Sequence, residues 1–363
     1  TSTCSANAWN PIFLDEEEEY PRGRHRPINS IGVFKVMEGE VAVKTEPKPT
    51  EMIIETILPY GFSSIIAGTT GCNKSYFAMQ MGMSIANDEN EFLGWEIEKK
   101  GLAVLYADTE CGMDEVHRRF KRISKNMDWK GGSRFTFISV SDNYQDIWED
   151  LGIAINTYKP HIVIIDCLYN VSAQKDYSKG HRISEITDHL TSLKSDCRVN
   201  VIVVHHFNKG NHEKGLVIDR MSGASPLQNW AEHVVLMTKT NKPNIRLMRI
   251  VKSRGIHFSE QYYALDWDLE NQRLSMKGVI LNPSKLLVDD YKLRQWTKAV
   301  QSMSDKFETK DFINSVVREY HCSERTAKNW LKKLVNCEIL IRTGHGRYEK
   351  KLEIVDEIIS EET

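Results

Sequence analysis

The run Ile65-Ile66-Ala67-Gly68-Thr69-Thr70-Gly71-Cys72-Asn73-Lys74-Ser75 leads into a helical pattern that begins at Tyr76. An apolar strand that breaks into small residues and re-enters as a helix gathers backbone N–H groups at the positive end of that helix. Such a point cradles a polyphosphate. The spacing is that of G-x-x-x-x-G-K-[ST], in which the lysine reaches the β- and γ-phosphates and the hydroxyl ligates Mg²⁺. It departs at one place, Asn73, where the pattern has glycine. Asparagine enters the left-handed region more readily than other non-glycine residues, so the loop is expected to close. The expected ligands are therefore ATP and Mg²⁺. Gly68, Thr69, Thr70, Gly71, Cys72, Asn73, Lys74, Ser75 and Tyr76 should surround the nucleotide, with Ser75 on the metal.

A chain of 363 residues is long for one small domain, and two or three units are expected. The net charge of −2 excludes a protein that coats nucleic acid by bulk positive charge, though not a local basic patch. Seven cysteines, at 4, 72, 111, 167, 197, 322 and 337, include no C-x-x-C pair, which points to reduced thiols and a cytoplasmic setting rather than a disulfide frame or zinc site. No apolar run approaches a membrane span, and the first residues lack the order of a signal peptide.

Three regions differ in character. Residues 1–50 carry the acidic block Asp15-Glu16-Glu17-Glu18-Glu19, then Arg22, Arg24 and Arg26, then Pro47 and Pro49, and read as an extended charged arm. Residues 51–280 alternate apolar runs (64–67, 102–107, 135–140, 161–166, 199–205, 234–238, 245–252) with helical periodicity (76–87, 114–125, 145–158, 181–195, 223–231). Continuous Val/Ile/Leu strands between amphipathic helices predict an α/β fold, a mostly parallel sheet covered on both faces. The spacing from Arg246 to Leu274 adds antiparallel strands at one edge. Residues 284–363 predict two helices, 309–320 and 323–336, followed by a Gly-rich hairpin, the layout of a small winged-helix domain. Between 301 and 350, ten Lys/Arg face seven Asp/Glu, a net of +3. Arg325, Lys328 and Lys332 would meet duplex DNA there, with protein docking as the alternative.

Four further strand ends carry polar side chains. Ile162-Val163-Ile164-Ile165-Asp166 ends in a carboxylate that could hold Mg²⁺ with Ser75, on a strand expected beside the loop strand. Leu102 to Asp108 leads to Glu110, placed to polarise the water attacking a γ-phosphate, with Asp108 as competitor. Val201 to Val204 leads to His205 and His206, one of which could sense that phosphate; neighbours on a strand face opposite ways, so they are poor joint metal ligands. Ile250-Val251-Lys252-Ser253-Arg254 places two cations on one side of a strand. Supplied to a neighbouring subunit's γ-phosphate, they would stabilise phosphoryl transfer.

Taken in this order, loop, Glu110, Asp166, histidine, Lys252-x-Arg254, the pattern over residues 52–275 resembles the RecA-like P-loop ATPases. It is most similar to RepA-type helicases of plasmids and mobile elements, and more distantly to DnaB-like helicases. The stretch from Met221 to Met237 resembles the small-residue segment, helix and strand that follow the sensing histidine in that family. The resemblance implies a homo-oligomer, a hexameric ring in which Lys252 and Arg254 act in trans. It also implies single-stranded DNA in the channel, gripped by a loop (208–215) carrying Lys209 and Lys214. The function expected is an ATP-hydrolysing nucleic-acid motor, a replicative DNA helicase of a plasmid, phage or integrative element. The alternative is an ATP-gated DNA-binding regulator or recombination mediator that unwinds nothing.

Overall fold

In the computed structural model the described residues are 30–31, 34–140, 147–171, 180–207, 215–221 and 224–355. Two units divide the chain, at Pro49 and Thr50. In the first, Ser30–Ile31 pairs antiparallel with Phe34–Lys35, and Gly39–Lys44 is a short helix with no buried residue.

The second unit is built on a nine-stranded sheet. Its strands, in chain order, are β1 (Ser63–Gly68), β2 (Val104–Asp108), β3 (Phe135–Ser139), β4 (Ile162–Asp166), β5 (Asn200–His206), β6 (His233–Lys239), β7 (Ile245–Ser253), β8 (Tyr262–Asp268) and β9 (Arg273–Ile280). Across the sheet the order is β9-β8-β7-β6-β1-β5-β4-β2-β3. From β6 to β3 every pair is parallel, and β6 through β9 are joined antiparallel at one edge, where the hairpin-like spacing placed them.

The side-chain period of two sorts each central strand between two cores. Ile162 and Ile164 of β4 pack with Val104, Tyr106, Ile202 and Val204 on one face, against α1 (Lys74–Ala86) and α2 (Met113–Ser124). Val163 and Ile165 pack with Leu105, Val201 and Val203 on the other, against α3 (Trp148–Tyr158), α4 (Gly180–Cys197) and α5 (Ala224–Trp230). Ile162, Val163, Ile164 and Ile165 are all 0% exposed, which at about 2 kcal/mol each anchors the strand by packing alone. Asp166, at its tip, is held in place by that packing.

One expectation fails here. The Asp166 strand does not lie beside the loop strand: β5, the histidine strand, pairs with both and separates them. Strand sequence alone carries no neighbour order, since each of these runs is equally apolar on both faces.

Beyond the sheet come α6 (Ser284–Leu287), α7 (Asp290–Gln301), β10 (Lys306–Glu308), α8 (Thr309–Tyr320), α9 (Glu324–Asn336), β11 (Leu340–Gly344) and β12 (Arg347–Lys350). The three strands pair in the order β10-β12-β11. Leu293, Trp296, Val300, Phe312, Val316, Ala327, Leu331 and Leu334 form a separate core beneath them. Ser323 caps α9, its side chain accepting from the Thr326 N–H at 3.2 Å. The sequence reading missed α7, although Leu293, Trp296 and Val300 stand at helical spacing and Asp289 caps it by accepting from the Lys292 N–H.

Candidate functional site

The phosphate-type loop leaves β1 at Gly68, where a Cβ would sit 2.1 Å from the Met237 carbonyl oxygen of β6. Only glycine fits so near another backbone. Gly71 (φ +70°) and Asn73 (φ 69°, ψ 28°) are both left-handed, so asparagine takes up the conformation that glycine usually supplies. Its side chain does not cap α1; its Oδ1 accepts from Arg246 Nε at 2.6 Å. Arg246, on β7, also donates to the carbonyls of Pro243 and Ile245, and is buried. Helix α1 opens at Lys74, so Lys74 and Ser75 stand in its first turn rather than in the loop. Lys74 is 5% exposed, and its ammonium donates to the Thr69 carbonyl at 2.9 Å. Lys239 Nζ, at the end of β6, stands 2.8 Å from where a Cβ on Gly71 would lie.

These groups open onto a cleft of about 200 Å³ at the carboxyl edge of the parallel strands. Thr70, Gly71, Asn73, Lys74, Ser75, Tyr76, Glu110, Cys111, Arg119, Asp166 and His206 line it. It lies beyond the carboxyl ends of β1, β5, β4 and β2, where ligands of open α/β sheets bind.

Asp166 is buried and accepts from the Tyr106 hydroxyl. Burial raises its carboxyl above the ordinary range, against hydrogen bonds from Tyr106 and Ser75 that favour the anion. The side-chain contact with Ser75 joins the two groups whose chemistry suits Mg²⁺ across the intervening strand.

Geometry distinguishes Asp108 from Glu110. Asp108 is buried and accepts from the Cys111 and Gly112 N–H groups at 3.1 and 2.9 Å and from the Ser139 hydroxyl at 2.9 Å. It ties β2 to the start of α2. Glu110 is exposed on the cleft wall, 3.5 Å from the Cys167 thiol that donates to it.

The histidines also part. His205 is buried, whereas His206 lines the cleft and is only half-buried. Burial and the Lys74 charge lower its pKa below 6.5, so the ring is neutral at pH 7 and free to hydrogen-bond without repelling Lys74.

Lys252 and Arg254 lie elsewhere. Because β7 runs antiparallel to β6, its end falls at the amino edge of the parallel strands. Lys252 is opposite Val234, three residues before Met237, the partner of Gly68. That is about 10 Å back along the sheet. Lys252 donates to the Gln228 carbonyl at 2.6 Å and Arg254 to that of Asn229 at 2.9 Å, both on α5. Neither serves the cleft of its own chain.

Arg325, Lys328 and Lys332 are exposed and share one face of α9, with Lys328 3.6 Å from Glu324. Lys209 and Lys214 lie outside the described residues. Sequence reasoning missed Tyr106, Arg119, Lys239 and Arg246. Arg119 sits on α2, over the Tyr76 ring and 3.0 Å from the Cys111 sulfur, a placement that only the tertiary fold creates. Among the described residues no helix is long and apolar enough to cross a membrane.

Residues 34–212 match the family described as the AAA domain, a span that takes in the loop and the strands bearing Glu110, Asp166 and the histidines. A solved KaiC-like protein from the hyperthermophilic archaeon Pyrococcus horikoshii superposes with a TM-score of 0.48 at 15% identity, over 63% of this chain and 99% of that one. No curated protein matches the chain. The mostly parallel sheet, its flanking helices and the loop together make an α/β core with a phosphate-type loop at the carboxyl edge of the parallel strands.

Proposed function

We propose that the chain is an ATP-hydrolysing, ring-forming motor on nucleic acid, a replicative DNA helicase of a plasmid, phage or integrative element. One observation carries the reading. Lys74, Ser75, Asp166, Glu110 and His206 converge on one cleft, while Lys252 and Arg254 stand at the opposite edge of the sheet. In this assignment Lys74 and the loop amides would bind the triphosphate, and Ser75 and Asp166 would hold Mg²⁺, which would supply positive charge to offset that of the phosphates. Glu110 orients and polarises the attacking water. His206 meets the γ-phosphate. Lys252 and Arg254 of a neighbouring protomer stabilise the charge that develops on transfer. Single-stranded DNA would occupy the channel at residues 208–215, and the α8–α9 region, read as a winged helix, would meet duplex DNA through Arg325, Lys328 and Lys332.

The exposed cationic face of α9 also favours a second reading, a DNA-binding regulator or recombination mediator. Hydrolysis measured with and without single-stranded DNA, alongside particle mass and strand displacement, tests both. A motor shows a DNA-stimulated rate that rises with assembly and displaces a strand. A regulator binds duplex and displaces nothing. A rate indifferent to DNA and to protein concentration defeats the motor.

A further inference from the structure

We propose that the hydrolytic end of the cleft is also a regulatory site for a thiophilic divalent cation of the zinc class, held by Glu110, Cys167 and His206 and distinct from the Mg²⁺ position at Ser75 and Asp166. The inference rests on the reading of Glu110 and His206 given above. A carboxylate oxygen, a thiol sulfur and an imidazole nitrogen from the tips of three strands lie within 4.8 Å of one another. Two of them already stand at ligand spacing. The Cys167 sulfur is 3.5 Å from Glu110 Oε2. Tetrahedral zinc, with Zn–S near 2.3 Å and Zn–O near 2.1 Å, sets such a pair about 3.6 Å apart. Glu110 is exposed and His206 only half-buried, so rotation of these two side chains closes the remaining gap.

Sulfur and nitrogen donors select against Mg²⁺, which takes oxygen ligands, so the two ions need not compete for one set of groups. Three protein ligands leave a fourth position for water. The thiol now donates to Glu110; on metal binding it gives up that proton to solvent, and the carboxylate turns from acceptor to ligand. An ion there withdraws from hydrolysis the carboxylate that orients water and the imidazole that faces the γ-phosphate, while leaving Lys74 and the loop free to hold nucleotide. The site would brake turnover without emptying the cleft.

Two measurements test it on the full chain. The first is Co²⁺ absorption without nucleotide. Wild type should show a thiolate-to-cobalt charge-transfer band in the near ultraviolet that Cys167→Ser loses and Cys111→Ser keeps. The second is hydrolysis at saturating Mg²⁺ against added Zn²⁺, each protein scaled to its own zinc-free rate. The half-inhibiting zinc concentration should rise at least ~10-fold in Cys167→Ser, with nucleotide binding unaffected by zinc in wild type. Retained nucleotide binding shows that Cys167→Ser is folded. No cobalt band in wild type, or an equal band in Cys167→Ser, overturns the proposal. Absence of any zinc-free hydrolysis with the cobalt band present would instead overturn the reading of the cleft.

Discussion

At the scale of single residues, the departure at Asn73 is compensated. A non-glycine residue held left-handed costs on the order of 1–3 kcal/mol unless its surroundings impose it. Here the Arg246 guanidinium fixes the asparagine side chain from β7. Arg246→Ala should weaken binding of an ATP analogue about 10-fold, of the order of one charged hydrogen bond. Asn73→Gly in the same chain should bring it back within ~2-fold, because glycine holds the turn unaided. Titration calorimetry on the four proteins of that cycle decides; equal losses in the single Arg246→Ala and the double variant mean the arginine acts elsewhere. Glu110→Gln should leave analogue binding intact and lower hydrolysis by about 10²–10⁴-fold, whereas Asp108→Asn should act on stability, since Asp108 holds three protein donors. A binding loss in Glu110→Gln, measured by the same calorimetry, contradicts the division of roles.

Among the elements, β6 braces the loop at one end and carries a pH liability at the other. Met237 and Lys239 meet the loop, and His233, at the start of the strand, is buried 3.0 Å from the Ser253 hydroxyl. Burial lowers its pKa to about 4. The folded state therefore binds its proton more weakly than the unfolded chain, and stability present above pH 6.5 is lost as pH falls toward 4. Between pH 7 and pH 5 this amounts to about 2 kcal/mol. Urea unfolding at the two pH values should show that loss, reduced in His233→Gln; an unchanged difference in the variant assigns the acid sensitivity to other groups. The elements themselves were legible because their patterns are strong. Ile162 to Ile165 and Val201 to Val204 could be little other than buried strands, and the loop announced β1 and α1 together. Neighbour order was not legible. Nothing in Val201 to His206 says that it inserts between β1 and β4, and so nothing there said that His206, rather than His205, faces the cleft. Arg246 and Tyr106 were invisible for the same reason, since each works across strands far apart in sequence.

For the whole molecule, the decisive feature is that the cleft and the Lys252–Arg254 pair occupy opposite edges of one sheet. A catalytic set completed only between copies predicts complementation. Lys74→Ala and Arg254→Ala should each hydrolyse poorly alone, and their mixture should recover a measurable fraction of the rate, since some interfaces pair an intact loop with an intact arginine. A mixture no faster than the mean of its parts argues that the arginine has no role in trans. Every role assigned to these residues depends on where a triphosphate sits. The most direct measurement is a crystal structure with Mg²⁺ and a non-hydrolysable ATP analogue. It should place the phosphates over residues 69–75, with Lys74 Nζ turned from the Thr69 carbonyl to the γ-phosphate and the metal between Ser75 and Asp166. Nucleotide bound elsewhere, or a cleft that stays empty at saturating analogue, would contradict it.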